Sequence, residues 1–312
     1  MVKGVIAVVT LCSASIVSGA VLADGSVFYS DTEKWGSIES GTTYSLIGVW
    51  GASGEDVFTV GDKGTILHYD GKTWRVTSVD SMPHLVSVWG AGGDDVFVAG
   101  DHGTILHYDG SIWSPMASGL EEQKNTLDGV WGSAGNDVFV VGDDGSGLIL
   151  HYDGKKWSKM PLEKTQGLYD VWGSSGTDVF AVGLGGTILH FDGAAWSAME
   201  SGTKRHITGI WGSSSNDVFA CGVEGTLLHY DGTEWHHMKS GTTEHVTRVR
   251  GRAGNDVYAI SMSGTILHYD GMAWTAIDSG AERLLGIWAS SEGSVFAVGS
   301  GGTILNRLSS DK

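Results

Sequence analysis

Six histidines, His68, His107, His151, His190, His229 and His268, each stand two residues before an Asp-Gly pair, and Asn306 takes the equivalent place near the C-terminus. Imidazole and carboxylate at fixed spacing are the raw material of metal binding or of acid–base chemistry. Zinc, however, needs several ligands within about 2.0–2.3 Å of one ion, and these histidines lie one per repeat. No C-x-x-C, H-E-x-x-H or paired-histidine spacing accompanies them. They are expected to serve structure, with no metal and no cofactor. The aspartates at 56, 95, 137, 178, 217 and 256, and at 70, 109, 153, 192, 231 and 270, precede strands or open D-G turns. Their carboxylates are expected to cap backbone N–H groups. Asp143-Asp144-Gly145-Ser146 is the one dense oxygen cluster that a calcium site could use.

A different chemistry is offered by Val249-Arg250-Gly251, where every other copy of the motif carries Trp-Gly or, once, Trp-Ala. Arg248 is two residues earlier and therefore on the same side of a strand. Two guanidiniums on an acidic chain suit a carboxylate or sulfate. Alternatively, Arg250 fills the volume of the missing tryptophan, stacking on a neighbouring Trp and pairing with an acid. With Asp101, His102 and Asp170 these arginines form the candidate ligand-binding set. A glycosidase or lyase would need a carboxylate pair or a Tyr–His constellation at one mouth; no catalytic residues are assigned.

The elements that must position these groups follow from a repeat. Its leading residue recurs at Trp50, Trp89, Trp131, Trp172, Trp211, Arg250 and Trp288, at spacings of 38 to 42 residues. Units of that period cannot bury their apolar faces alone and must stack on neighbours. Each unit reads as four strands. In the second copy these are Leu85–Trp89, Asp95–Gly100, Thr104–Tyr108 and a stretch beginning near Trp113, separated by Gly/Asp turns. Prolines stand only at 83, 115 and 161, outside the inner strands. Four antiparallel strands seven times over predict an all-β, seven-bladed β-propeller.

The ends predict how the ring closes. The last copy stops after Gly302–Asn306, whereas Asp31-Thr32-Glu33-Lys34-Trp35 repeats the spacing of Asp70–Trp74. The N-terminal strand should therefore complete the last blade. This arrangement accounts for all 13 tryptophans, six leading and seven on fourth strands, and it reads them as packing between blades. Turns between first and second strands and the D-G hairpins hardly vary, whereas second-to-third-strand loops and blade-to-blade connections do. That variable face is where binding is expected.

These units, carried by Trp172-Gly173-Ser174-Ser175, Asp178–Gly183 and Gly186–Gly193, resemble those of secreted bacterial propellers of the BNR/Asp-box kind, sialidase-type and photosystem-II-assembly-factor-like. The resemblance spans about residues 25 to 308 and implies the propeller fold. A true Asp box reads S-x-D-x-G-x-x-W, one residue longer than Asp70–Trp74, and no sialidase-like arginine triad can be assigned.

Residues 1–23 read as a signal peptide cleaved after Ala23: Lys3, an apolar run from Val5 to Val17, then small residues. Residues 24–312 form the single propeller domain. Leu11 before Cys12 argues against a lipobox, and the short, serine-broken apolar stretch against a membrane anchor. Cys221, the one cysteine left, reads as a buried hydrophobe. The formal net charge of −17, one unit more negative without Lys3, repels nucleic acid and anionic membranes. These features predict a monomeric, non-enzymatic protein, secreted to the periplasm or beyond, that presents its variable loops to a protein partner. A lectin-like propeller gripping polysaccharide is the alternative, and a propeller glycosidase or lyase comes third.

Overall fold

The computed structural model describes residues 19–21, 27–29, 35–77, 83–120, 125–163 and 165–307. Seven four-stranded antiparallel sheets form the blades of a propeller, and Gly19–Val21 pairs with Val27–Tyr29 in a separate two-stranded ribbon. The first blade is Leu46–Ser53, Asp56–Gly61, Ile66–Tyr69 and Trp74–Val76. The sixth is Val246–Ala253, Asp256–Ser261, Thr265–Tyr269 and Trp274–Asp278. First strands of adjacent blades contact one another all the way round, so they line the axis. Among the described residues no helix is long and apolar enough to cross a membrane.

Closure occurs as the sequence predicts. Trp35–Ile38 is hydrogen-bonded to Ile304–Arg307, with Trp35 opposite Arg307 and Ile38 opposite Ile304, and supplies the fourth strand of the last blade. Residues 31–34, part of the predicted repeat of that hairpin, and Ala23 lie outside the described residues.

Seven apolar clusters hold the ring, and each lies between two neighbouring blades. One joins Phe58, Val60 and Ile66 of the first blade to Leu85, Val88 and Val98 of the second. Another joins Trp288, Phe296 and Val298 of the last blade to Leu46, Val49 and Val57 of the first. Second strands are buried almost end to end because both faces meet a neighbour, which is why they read as unbroken apolar runs such as Val96-Phe97-Val98-Ala99. Pro115 sits in the outermost strand of its blade, where a missing N–H costs no ladder bond.

The two sets of tryptophans work in opposite directions. Leading tryptophans reach forward onto a glycine of the next blade: a Cβ at Gly90 would fall 2.6 Å from Cη2 of Trp50, and one at Gly173 at 2.6 Å from that of Trp131. No side chain fits there, which is why Gly follows Trp in the motif. Fourth-strand tryptophans reach backward, edge-on to the phenylalanine of the preceding blade: Trp74 to Phe296 at 6.2 Å and Trp113 to Phe58 at 6.1 Å between centroids. The single exception to Trp-Gly is informative. Ala289 follows Trp288 in the last blade, and the blade before it carries Arg250 instead of Trp. With no indole arriving from the sixth blade, the seventh accommodates a methyl group.

The repeated polar residues serve this scaffold. His68, His107, His151, His190, His229 and His268 pair through Nε2 with Asp56, Asp95, Asp137, Asp178, Asp217 and Asp256 of their own blades at 2.6–2.9 Å. Their rings lie 4.0–4.6 Å from the aromatic ring of the second strand. The D-G aspartates cap their turns as expected; Asp109 Oδ1, for example, accepts from the N–H groups of Ser111 and Ile112 at 2.9 Å. These bonds lower the pKa of Asp70, Asp109, Asp153, Asp192 and Asp270. Cys221 is fully buried, and burial pushes its thiol up to about 12, leaving it inert.

Removing the N-terminal segment through Ile38 leaves a three-stranded last blade and a bare edge facing solvent. The expected result is a Tm lower by about 10 °C or more, read by calorimetry. An unchanged Tm would refute this closure.

Candidate functional site

The channel mouth lies on the face that carries the variable loops. Each second-to-third-strand loop is tied to the segment entering its own blade, as in Asp62 N–H to Ser45 O at 3.0 Å and Asp101 N–H to His84 O at 2.9 Å. Histidines of the entry segments staple neighbouring blades together: His84 to Asp62 at 2.9 Å, and His206 Nδ1 accepting from Gly185 N–H at 2.9 Å. The loops are thus preorganised. Lys63, His102 and Glu224, at their tips, hold φ of 54–58°, where other copies carry Gly185 and Gly301. A side chain in that left-handed conformation costs about 1 kcal/mol, and among the described residues the non-glycine cases all fall on these loops.

Every first strand enters its blade with a one-residue skip in register, between Leu127 and Gly129 in the third and between Leu284 and Gly286 in the seventh. The skipped residues are Ile47, Val86, Asp128, Tyr169, Thr208, Thr247 and Leu285, and all are half-buried. The ring of seven is therefore split. Leu285, Ile47 and Val86 make an apolar arc on three consecutive blades, and the four polar residues occupy the other four. A cavity of about 250 Å3 opens along the polar arc, lined by Asp128, Tyr169, Thr208 and Thr247 with His206, Val223 and Arg248.

Asp128 is the most perturbed group in this cavity. Burial, reinforced by Asp101 and Asp143, raises its pKa to about 7 against the pull of Arg248. Its carboxylate makes no hydrogen bond or ion pair among the described residues. The same desolvation, with the charges of Asp128 and Asp143, raises the Tyr169 phenol. Arg248 donates from Nη1 to Thr208 O at 2.9 Å and Thr247 O at 3.0 Å, which fixes its guanidinium in the cavity wall, where its charge acts on Asp128.

The five residues singled out from sequence are distributed differently. Arg248 lines the cavity, and Asp101 acts on it through its charge. His102 stands at an exposed loop tip outside the lining. Arg250 and Asp170 are spent on each other. Arg250 Nη1 reaches Asp170 Oδ2 at 3.1 Å and Ile210 O at 2.7 Å. Asp170, 2 % exposed, also accepts from Val171 N–H and Ile210 N–H at 3.0 Å. This clasp ties the fourth, fifth and sixth blades together near the axis. Of the two sequence readings of Arg250, its geometry is that of pairing with a nearby acid. Ser87 makes a simpler version, its Oγ accepting from Val130 N–H of the next blade at 3.1 Å. The dense loop at residues 143–146 is closed by its own bonds: Asp144 accepts from Ser146 and from Lys159 Nζ at 2.5 Å. Among the described residues no three His, Cys, Asp or Glu side chains converge as a metal would need.

Asp128 escaped the sequence reading although a signal existed. Aligning the residue after the conserved Leu/Ile/Val of each first strand shows one carboxylate among three aliphatic residues, a tyrosine and two threonines.

Fold and site together define a seven-bladed propeller with a uniform scaffold face and a polarised, loop-ringed channel mouth. No protein-family model matches the chain, and no curated protein matches it in sequence. Solved structures share the fold. YCF48 bound to D1 peptide is 17% identical with a TM-score of 0.73, covering 89% of this chain and 96% of that one. YCF48 from Cyanidioschyzon merolae is 17% identical with a TM-score of 0.72, covering 89% and 100%. The WD40 β-propeller domain of Doa1 is 12% identical with a TM-score of 0.75, covering 89% and 97%.

Two outcomes test this reading. Arg250→Trp alone strands the buried Asp170 carboxylate and drives an indole against Ala289, so it should cost about 3–5 kcal/mol in denaturant unfolding. Adding Asp170→Gly and Ala289→Gly restores the repeat, and the triple variant should recover most of the loss; additive losses would refute the coupling. For Asp128 the folded pKa lies above the unfolded one, so the native state holds the proton more tightly. Stability should fall as pH rises from about 4 to about 7, and in a wild-type/Asp128→Asn comparison that decline should disappear from the variant.

Proposed function

We propose that this chain is a non-enzymatic, monomeric binding propeller, secreted after cleavage at Ala23, that holds a segment of a protein partner across its channel mouth. One observation carries the reading. The mouth is where the sevenfold pattern breaks with accessible side chains, apolar at Ile47, Val86 and Leu285 and polar from Asp128 round to Arg248. Such a bipartite rim matches a polypeptide, which offers apolar side chains and backbone hydrogen-bonding groups within a few residues. A repeated saccharide site would instead place similar polar sets in several blades, whereas this set occurs once.

Further support comes from rigidity. Loops stapled by His84, His206 and His245 lose little freedom on binding. The propeller of YCF48, similar in fold, has been solved with D1 peptide, a precedent for peptide on this architecture.

The test sets the purified protein and a Tyr169→Ala/Arg248→Ala variant against a peptide array and a glycan array. Selective peptide binding that weakens about tenfold or more in the variant, roughly 1.4 kcal/mol, is the expected result. Glycan binding with a blank peptide array would overturn the protein-partner reading in favour of polysaccharide.

A further inference from the structure

We propose that the polar arc of the channel mouth is a receptor for one basic side chain, a lysine or arginine of the bound segment, whose cation sits between the Asp128 carboxylate and the Tyr169 ring. This rests on the peptide-binding reading and names the chemistry of the partner.

Size is the first argument. At about 250 Å3 the cavity falls below the roughly 300–1,000 Å3 usual for whole small-molecule ligands. It is of a size for a single long side chain entering from a larger body.

Asp128 supplies the second. It comes from the third blade, half-buried in the cavity wall, and among the described residues no donor hydrogen-bonds to it, Arg248 acting on it through its charge alone. A desolvated carboxylate without a partner is unfavourable, and an arriving ammonium or guanidinium relieves it. Tyr169, from the adjacent blade, lines the same space and provides the aromatic surface that cations favour. Thr208 and Thr247 add hydroxyl acceptors along the wall.

Arg248 supplies the third. Its guanidinium is held by two backbone carbonyls and leaves Nε and Nη2 without a protein acceptor among the described residues. Its remaining donors face acceptors such as the peptide's own carbonyls. The chain's net charge of −17 draws basic segments toward it at long range.

Binding should depend on pH because the carboxylate must be ionised. The charged groups facing Asp128 are Asp101 from the second blade, Asp143 from the third and Arg248 from the sixth, with Tyr169 and His206 also on the cavity wall. Burial and the two acids set its pKa at about 7.

The experiment uses the full chain and three acetylated, amidated tripeptides, Ala-Lys-Ala, Ala-norleucine-Ala and Ala-Glu-Ala, titrated calorimetrically near pH 6 and near pH 8. The lysine peptide should bind about tenfold more tightly at the higher pH, and the other two should not compete. Asp128→Asn, which resembles the neutral threonines of other blades and should fold, should weaken lysine binding and erase its pH dependence. Arg248→Met should move the midpoint upward. Norleucine or glutamate binding as tightly as lysine, no detectable lysine binding, or an Asp128→Asn variant that binds unchanged would each overturn the proposal. Array peptides that bind but lack basic residues would sink this inference alone, whereas a blank peptide array would sink the reading beneath it.

Discussion

Everything in this molecule depends on the contact between the faces of adjacent blades. A four-stranded sheet of this size cannot bury its own apolar side chains, so each blade is stable only against its two neighbours. The leading tryptophan is the tightest element of that contact. Its indole occupies the space a Cβ would need at the next blade's glycine. The backward contact of the fourth-strand tryptophan on the preceding phenylalanine adds the outer half. Burial therefore runs around the ring, and the axis is left as a place where side chains are free to differ.

That freedom explains where the site is. Residues at the register skip are held by the ladder on either side but face the channel, so changing one disturbs no interblade cluster. Six blades keep the Trp–Gly lock on the blade that follows them, and only the sixth, with Arg250, does not. Arg250 turns instead to the preceding blades, to a buried carboxylate two blades away that is satisfied by two backbone N–H groups and this guanidinium. A buried pair of this kind fixes geometry more than it adds stability. It also positions the strand from which Arg248 reaches the cavity.

Much of this was legible in the residues. Period, strand number and ring closure follow from Trp, Gly and Asp-Gly spacing, because those residues obey hard steric rules that act locally. The Asp–His pairs were half legible: a structural role could be read, but the partner twelve to fourteen residues earlier required the strand register. Arg250 was visible as an anomaly, while its partner was not, since Asp170 lies 80 residues away and meets it only through the ring. Asp128 was missed because it looks like an ordinary polar residue at the start of a strand. Its character comes from desolvation and from charges on other blades, which no local pattern encodes.

Ring closure has a consequence for how the chain acquires its shape. Six blades are made from contiguous sequence and can form as soon as each hairpin is available. The last blade joins Trp35–Ile38 to Ile304–Arg307, so the strand made among the earliest must wait for the one made among the latest. Until then the incomplete arc has two unpaired apolar flanks and a three-stranded last blade with an open edge. Assembly is thus a local zipper ended by one long-range latch, and the interval before the latch closes is when the protein is most exposed to aggregation and proteolysis.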